Sequence, residues 1–233
     1  WSFNCVYTTI TPHSQLITYP HPIRPLWYSQ AGTNSCTSAL NWVFRTIGSE
    51  KPPLFESWDK SIKSILPGTE GLFFHPYLSG ERCPYWDGNL RASFTGATFK
   101  HSPAHFVRAA YEGIAFSLRD AFTVLEQLGN SEGDITVVGG GTAGTLWTQI
   151  ICDVIGKPLK ISHKVDSSYG AALLGLAGIS GERNISDLIS KLPQQVEILN
   201  PDLEKTDLYS TLFQQYKEIQ HSLQPIYHQR KNT

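Results

Sequence analysis

Three consecutive glycines join a predicted strand to a predicted helix within residues 134–147, which read DITVVGGGTAGTLW. The apolar run at residues 135–138 favours a short strand covered on both faces by helices. Glycine lacks the Cβ that would keep a ligand at a distance. Gly139, Gly140 and Gly141 would therefore let backbone N–H groups approach a nucleotide at the positive end of the next helix. We interpret the segment as a nucleotide-binding loop; the alternative is a tight strand-to-helix turn without a ligand, although a turn needs fewer glycines.

Two known nucleotide motifs can be compared with this loop. A phosphate-binding P-loop requires a lysine directly after its glycines, and the first lysine here is Lys157, so that motif is excluded. Gly139, Gly141 and Gly144 do satisfy the Gly-x-Gly-x-x-Gly pattern of dinucleotide-binding proteins. Asp166 lies somewhat beyond the usual distance for the acidic residue that binds the ribose. A nicotinamide-dependent oxidoreductase therefore stays as an alternative.

The two threonines of this segment have two interpretations each. Thr142 and Thr145 could offer hydroxyl groups to the nucleotide, or either could be the N-cap of the helix that follows. Gly144, between them, would help to shape the pocket. Trp147 lies farther along the helix, where we expect it to pack in the core rather than to stack on an adenine.

A second set of candidate residues lies in the loop SGERCPYWD, at residues 79–87. Arg82 is its one cation, and a guanidinium can hold a phosphate or a carboxylate through two parallel hydrogen bonds. Arg82 could instead fix its own loop through Glu81 or Asp87. Tyr85 and Trp86 could line a cleft or anchor the loop on the core.

Metal and disulfide chemistry are not expected. His101 and His105 are four residues apart, but Pro103 lies between them and no third ligand is near in sequence. The cysteines are far apart and form no Cys-x-x-Cys pair, so we interpret them as reduced thiols. They are Cys5, Cys36, Cys83 and Cys152.

The elements that would position these residues alternate between strand and helix. The periodicity predicts an antiparallel meander, with further strands at 73–78 and 159–162. The predicted meander strands are 3–9, 15–19 and 26–30. Helices are predicted at 35–47, 58–65, 103–128, 145–155, 169–179, 186–192 and 204–223. This α/β layout would place a ligand at the carboxyl ends of the strands.

The long helix from Pro103, with Ser102 as its N-cap, carries small residues at helical spacing. Such a stripe, which includes Ala109, Ala110 and Gly113, predicts close packing of another element. Glu112 could pair with Arg108 one turn earlier, or could belong to an active site. The spacing supports the ion pair at least as well as the active-site role.

Composition points to a cytoplasmic globular domain. The 233 residues are 40% hydrophobic and 17% charged, enough to build one large core or two small ones. A net charge of -1 and a pI near 6.8 provide no field to attract nucleic acid or anionic lipid. No apolar stretch is long enough to cross a bilayer, and no signal peptide is apparent. We expect neither a nucleic-acid partner nor a membrane.

Three segments occur in an order and spacing that resemble the C-terminal domain of the FGGY family of carbohydrate kinases. They are GLFFHPYLSGERCPYWD at 71–87, FTGATFKHSPAHFVRAAYEGIAF at 94–116, and the glycine loop within VVGGGTAGTLWTQIICDVIG. The similarity extends more loosely from Trp1 to about Tyr216. It implies an actin-like ATPase or ribonuclease-H-like lobe, with a mixed sheet flanked by helices. In such kinases ATP and a sugar meet in a cleft between two lobes.

The resemblance also implies a division of roles. The family's first lobe carries a phosphate loop, the sugar-binding residues and the aspartate that acts as base, and this sequence contains none of them. We therefore expect all 233 residues to be the C-terminal lobe, with the N-terminal lobe outside this chain and no catalytic residue within it. By resemblance, Gly140, Gly141 and Thr142 would lie against the adenosine of ATP.

These expectations combine into one main hypothesis and two alternatives. The main hypothesis is ATP- and Mg²⁺-dependent phosphorylation of a sugar hydroxyl, with D-xylulose converted to xylulose 5-phosphate. The sugar could also be a related polyol or sugar acid, and we consider a homodimer. The alternatives are the nicotinamide-dependent oxidoreductase and a non-catalytic nucleotide-binding module. On the main hypothesis the isolated chain should be inactive.

Overall fold

The first sheet of the molecule is antiparallel and has three strands, β1 (Ser2–Tyr7), β2 (Ile17–Pro20) and β3 (Trp27–Gly32). The computed structural model describes residues 2–8, 12–47, 55–127, 133–162, 166–180, 189 and 196–229. The predicted meander is wrong in its order, which is β1-β3-β2, because β1 pairs with β3 and not with β2. The small residues Ser29 and Ala31 explain this, since both are fully buried and suit a central strand.

Two helices and a short hairpin follow the first sheet. The sequence predicts both helices, although the second begins and ends about three residues earlier than expected. The second strand of the hairpin was not predicted. The bounds are α1 (Thr37–Thr46), α2 (Phe55–Ile62), β4 (Phe73–His75) and β5 (Ser93–Thr95). The β4–β5 pair is antiparallel.

Helix α3 (Pro103–Glu126) is the central element of the core, as predicted from its small-residue stripe. Ala109 and Ala110 are almost fully buried. Gly113 lies against β4 so closely that a Cβ there would be 2.0 Å from the carbonyl oxygen of Phe74. A glycine is therefore required for α3 to pack on β4.

The second sheet is mixed and follows α3 in the chain. Its strands are β6 (Ile135–Val138), β7 (Leu159–Ser162) and β8 (Glu197–Leu199), and helix α4 (Thr145–Ile155) connects the first two. β6 and β7 are parallel, and β8 is antiparallel to β7. The molecule thus has the predicted α/β composition with mixed strand directions.

One expectation about this half is wrong and one is confirmed. β6 is not covered on both faces, because Thr136 and Val138 are exposed while Val137 is buried. Helix α5 (Ser167–Ser180) forms as predicted, and its residues Leu174, Leu176 and Ile179 are exposed. The apolar run at residues 135–138, which suggested complete burial of β6, is therefore packed on one face only within the described residues.

The last element of the described residues is the long helix α6 (Leu203–Gln229), which continues past the predicted end at residue 223 and contains Pro225. Its last turns are held by Tyr227, which is buried, and by hydrogen bonds from Gln224 and His228 to Asp87. The predicted helix at 186–192 lies outside the described residues except for position 189, which is helical. No helix among the described residues is long and apolar enough to span a membrane.

Candidate nucleotide-binding site

The glycine loop connects the end of β6 to the start of α4. Gly139 has a φ of 98°, in the region that favours glycine, and residues Gly140–Ala143 form a single 3-10 turn. Gly144 is the N-cap of α4, whose first helical residue is Thr145. The loop therefore lies at the carboxyl end of a parallel strand and at the positive end of a helix, as predicted.

The surface of the loop is open at its first two glycines. A Cβ built on Gly139 or on Gly140 would meet no heavy atom within 4 Å. Gly140 is exposed, and Gly139 and Gly141 are partly exposed. The main chain of Gly139 and Gly140 therefore borders open space, so a flat ligand can approach its N–H groups.

The two threonines behave differently from each other. Thr142 is buried, and its hydroxyl donates to the Gly139 carbonyl at 2.9 Å, so that proton is used within the loop. Thr145 is exposed at the start of α4. The N-cap of α4 is Gly144. The alternative that Thr142 or Thr145 is the N-cap is therefore wrong. Thr145 is the threonine whose side chain faces solvent beside the glycines.

Helix α4 is fixed in place by its buried side. Trp147 is fully buried, with its ring centroid 5.9 Å from that of Tyr111, so it packs in the core as predicted. Thr148 is also buried and donates to the Gly144 carbonyl at 2.7 Å. These contacts hold the N-terminus of α4, and with it the loop, in one position.

The second candidate region, the loop at 79–87, is fixed by buried polar contacts. Arg82 donates through Nη2 to the Thr33 carbonyl at 2.9 Å, so it fixes the loop through a backbone oxygen rather than through Glu81 or Asp87. Glu81 accepts the backbone N–H groups of Asn34 and Arg82 at 2.6 and 2.7 Å. Burial raises the pKa of Glu81 to about 7.

The aromatic residues of this loop are anchors. Tyr85 donates its hydroxyl to Asp120 at 2.6 Å, and burial raises its pKa above the usual range. Trp86 donates to the Gln15 carbonyl at 2.8 Å but keeps 48% of its surface exposed. The hydrogen bonds of Arg82, Tyr85 and Trp86 thus go to residues 33, 120 and 15 rather than to the glycine loop. Trp86 alone among these three presents a large apolar surface to solvent.

The remaining sequence candidates have structural partners. Asp166 accepts from the Ser168 hydroxyl and the Tyr169 N–H at the start of α5. His105 accepts the Ser102 N–H at 3.1 Å, which caps α3. The four cysteines are thiols, and burial raises the pKa of Cys36, Cys83 and Cys152 to about 12. No group of three possible metal ligands occurs among the described residues.

Two long-range contacts to α6 were not predicted. Tyr209 donates to Glu112 at 3.0 Å, and His228 and Gln224 bind Asp87. The partners are separated by 97 to 141 positions in the chain. The predicted Arg108–Glu112 pair does form, at 2.8 Å, inside the first of these contacts.

Comparison with known proteins agrees with this geometry. A sequence model described as the FGGY family of carbohydrate kinases, C-terminal domain, matches residues 1–179. A xylulose kinase of Staphylococcus epidermidis is 31% identical over 93% of this chain and 44% of its own length. A gluconokinase of Bacillus subtilis is 31% identical over 73% of the chain and 33% of its own length. The chain thus spans less than half the length of these relatives.

The fold is also shared with solved structures. A crystal structure described as a xyloylose kinase from Brucella ovis has a TM-score of 0.84 at 28% identity, over 99% of this chain and 46% of that one. The expected actin-like, ribonuclease-H-like fold is confirmed by such neighbours. The nicotinamide alternative has no support in these comparisons. Taken together, the sequence match and the fold show that the chain belongs to the FGGY family of carbohydrate kinases, with residues 1–179 matching the C-terminal domain.

Proposed function

We propose that this chain is the nucleotide-binding C-terminal lobe of an ATP-dependent sugar kinase. The observation that carries the proposal is the open glycine loop, where Gly139 and Gly140 leave space against the backbone at the start of α4. Gly141, Thr142, Gly144 and Thr145 complete the proposed adenosine pocket. The N-terminal lobe of the whole protein would supply the sugar site and the base.

The proposed reaction is in-line transfer of the γ-phosphoryl group of ATP to a sugar hydroxyl. Such transfer depends on positioning and on charge stabilisation rather than on covalent chemistry by the protein. This chain would hold the nucleotide and exclude water from one wall of the cleft, with Trp86 as the candidate from the 79–87 loop. Magnesium would neutralise charge on the phosphates of ATP during the transfer.

The proposed sugar is D-xylulose, giving xylulose 5-phosphate. The support is that several of the similar proteins, from different bacteria, are xylulose kinases. The gluconokinases among the relatives make gluconate the competing substrate. A cytoplasmic location is proposed on the same grounds, since ATP and sugar phosphates are used there.

The experiment that tests the nucleotide site is titration of the chain with a fluorescent ATP analogue and with NADH. Gly140→Val should weaken ATP binding at least about tenfold, about 1.4 kcal/mol, because the isopropyl group would fill the ligand's space. The fold should survive, because a Cβ there meets nothing within 4 Å. Gly178→Val is the matched control, since Gly178 in α5 is equally exposed and equally free of neighbours.

The outcomes separate the hypotheses. ATP binding that is lost in Gly140→Val and kept in Gly178→Val supports the proposal. Unchanged affinity in a folded Gly140→Val protein would place the nucleotide elsewhere. Binding of NADH without ATP would favour the oxidoreductase. Assays of the whole protein with xylulose and gluconate would then decide the sugar.

A further inference from the structure

Two cations from different helices lie against one aromatic ring between α3 and α6. Arg119 is on α3, and Lys217 is on α6. The guanidinium carbon of Arg119 is 4.7 Å from the ring centroid of Phe213, and the Lys217 ammonium nitrogen is 5.2 Å from the same centroid. Phe213 itself is buried. The packing of α3 on α6 therefore brings two positive charges close together.

The two cations have no acidic partner. Among the residues that the structure describes, neither Arg119 nor Lys217 forms an ion pair. Neither has an aspartate or glutamate three or four positions away on its own helix, where a helical ion pair would form. Like charges held close together repel each other. An anion that reached both cations would remove this repulsion.

The carboxylates whose charges act on this pair are engaged elsewhere. Glu126 acts on the charge of Arg119, but it binds Lys157 at 2.9 Å. Asp120 is acted on by Lys217, but it is buried and accepts a tyrosine hydroxyl at 2.6 Å. Both carboxylates are therefore held away from the pair by partners of their own.

Arg119 keeps unused hydrogen-bond donors although it is largely buried. Its Nη1 and Nη2 both donate to the Ser210 hydroxyl oxygen at 3.2 Å, and that hydroxyl donates to the Thr206 carbonyl at 2.8 Å. A guanidinium has five N–H groups. The others have no acceptor within the described part of the chain. Burial lowers the pKa of Arg119, which shows that its charge is poorly solvated and would be stabilised by an anion.

We propose that Arg119 and Lys217 together bind a phosphate group, either as inorganic phosphate or as part of a small phosphomonoester. The planar guanidinium can donate two parallel hydrogen bonds to two phosphate oxygens, and the ammonium group supplies the second charge. A phosphate group carries up to two negative charges near neutral pH. One ligand thus balances both cations, whereas a carboxylate would balance only one.

A small anion fits this pair better than a nucleic acid does. Nucleic-acid binding needs a stripe of positive charge along the backbone. The pair is isolated, and the chain as a whole has a net charge of -1. The inference does not rest on the proposed kinase function, because neither Arg119 nor Lys217 belongs to the proposed adenosine pocket.

The test is calorimetric titration of the chain with inorganic phosphate, ribose 5-phosphate and acetate at constant ionic strength. The buffer is held at about pH 8, where phosphate groups carry two charges. Both phosphates should bind, and acetate should bind at least about tenfold more weakly because it offers one charge. Tighter binding of ribose 5-phosphate would identify a sugar phosphate as the ligand, and equal binding would identify inorganic phosphate.

Substitutions assign the binding to the two cations. Lys217→Gln and Arg119→Gln should each weaken phosphate binding at least about tenfold. Arg119→Lys keeps the charge but not the planar fork, so it should weaken binding less than Arg119→Gln. The matched control is Lys100→Gln, which removes the same charge from an exposed lysine before α3 and should leave binding unchanged. Lys217→Gln keeps the test valid if Arg119→Gln fails to fold.

Four outcomes would overturn the inference. The first is that the folded chain does not bind phosphate. The second is an equal loss in Lys217→Gln and Lys100→Gln, which would indicate general attraction by charge. The third is acetate binding as tight as phosphate binding, which would make the site one for carboxylates. The fourth is loss of phosphate binding in Gly140→Val but not in Lys217→Gln, which would place the phosphate at the glycine loop and leave the proposed kinase function intact.

Discussion

Replacing Glu112 by alanine decides whether its carboxylate is structural or belongs to an active site. Glu112 is buried and accepts hydrogen bonds from Arg108 Nε at 2.8 Å, Thr69 Oγ1 at 2.8 Å and Tyr209 Oη at 3.0 Å. It also accepts the Gly68 N–H at 3.1 Å. Arg108 lies on α3, Tyr209 on α6, and Gly68 and Thr69 in the turn before β4, so the carboxylate joins these three parts of the chain.

The size of the effect follows from burial. Removing one partner of a buried ion pair typically costs about 3–5 kcal/mol, because the other charge stays buried without compensation. The Arg108 guanidinium would be left in that state, and its pKa is now raised by Glu112 against the opposing effect of burial. The turn before β4 would also lose the hydrogen bonds from Gly68 and Thr69 to Glu112. Those bonds help to hold Thr69 and Glu70 at their strained φ values of 48° and 52°. The loss is a large part of a total stability of roughly 5–15 kcal/mol.

The assay is urea unfolding followed by circular dichroism. With a slope of about 3 kcal/mol/M, Glu112→Ala should lower the unfolding midpoint by roughly 1 to 1.7 M. Glu126→Ala is the control, because the Lys157–Glu126 pair has a third of each side chain exposed and should contribute at most about 1 kcal/mol. If Glu112→Ala does not fold, Glu112→Gln retains the shape and should show a smaller loss. A folded Glu112→Ala protein with unchanged stability and weakened ATP binding would refute the structural role.

Two further predictions concern stability. Glu81→Gln should remove a pH dependence of stability, because burial raises the pKa of Glu81 from 4.5 to about 7. Between pH 4.5 and 7 the free energy of unfolding of the unsubstituted protein should fall by roughly 3 kcal/mol relative to that of the variant. Above pH 7 the difference should stay constant. Urea unfolding of both proteins at several pH values checks this, and a difference that stays constant between pH 4.5 and 7 would contradict it. Gly113→Ala should destabilise by about 1–3 kcal/mol or more, because its Cβ would lie 2.0 Å from the Phe74 carbonyl oxygen. Gly178→Ala should instead be neutral or stabilising by up to about 1 kcal/mol, and equal effects of the two would be inconsistent with the packing.

Local features of the molecule were accessible from sequence. The glycine loop, the start of α3 at Pro103 and the Arg108–Glu112 pair depend on residues within one turn or one strand of each other. Their conformations follow from short-range rules about glycine, caps and helical spacing. The small residue Gly113 even indicated a close contact, although it could not identify β4 as the element that approaches.

Long-range pairing was not accessible. The order β1-β3-β2 depends on which strand is central, and the exposure of Thr136 and Val138 depends on what covers β6. Neither is encoded in the local pattern, because an apolar run has the same appearance whether one face or both are packed. The same reason explains why the hydrogen bond between Asp87 and His228, 141 positions apart, was missed.

The last prediction is that the isolated chain binds ATP but does not phosphorylate sugar at a useful rate. Three carboxylates could otherwise be considered as a base, and each is already occupied. Asp87 binds His228 and Gln224, Glu112 binds Arg108, and Asp166 caps α5. Phosphoryl transfer needs both reactants held in line, and even a small misplacement can cost on the order of a hundredfold.

The test is a coupled ADP-release assay on this chain with xylulose, ribulose, glycerol and gluconate, repeated with the whole protein under the same conditions. ATP binding without turnover by the chain, together with turnover by the whole protein, is the expected result. The isolated chain should not turn over because each of these carboxylates would have to break a structural hydrogen bond before it could accept a proton from the sugar hydroxyl. Robust turnover by the isolated chain would contradict the single-lobe proposal, and loss of that turnover in Asp87→Asn or Asp166→Asn would identify the base.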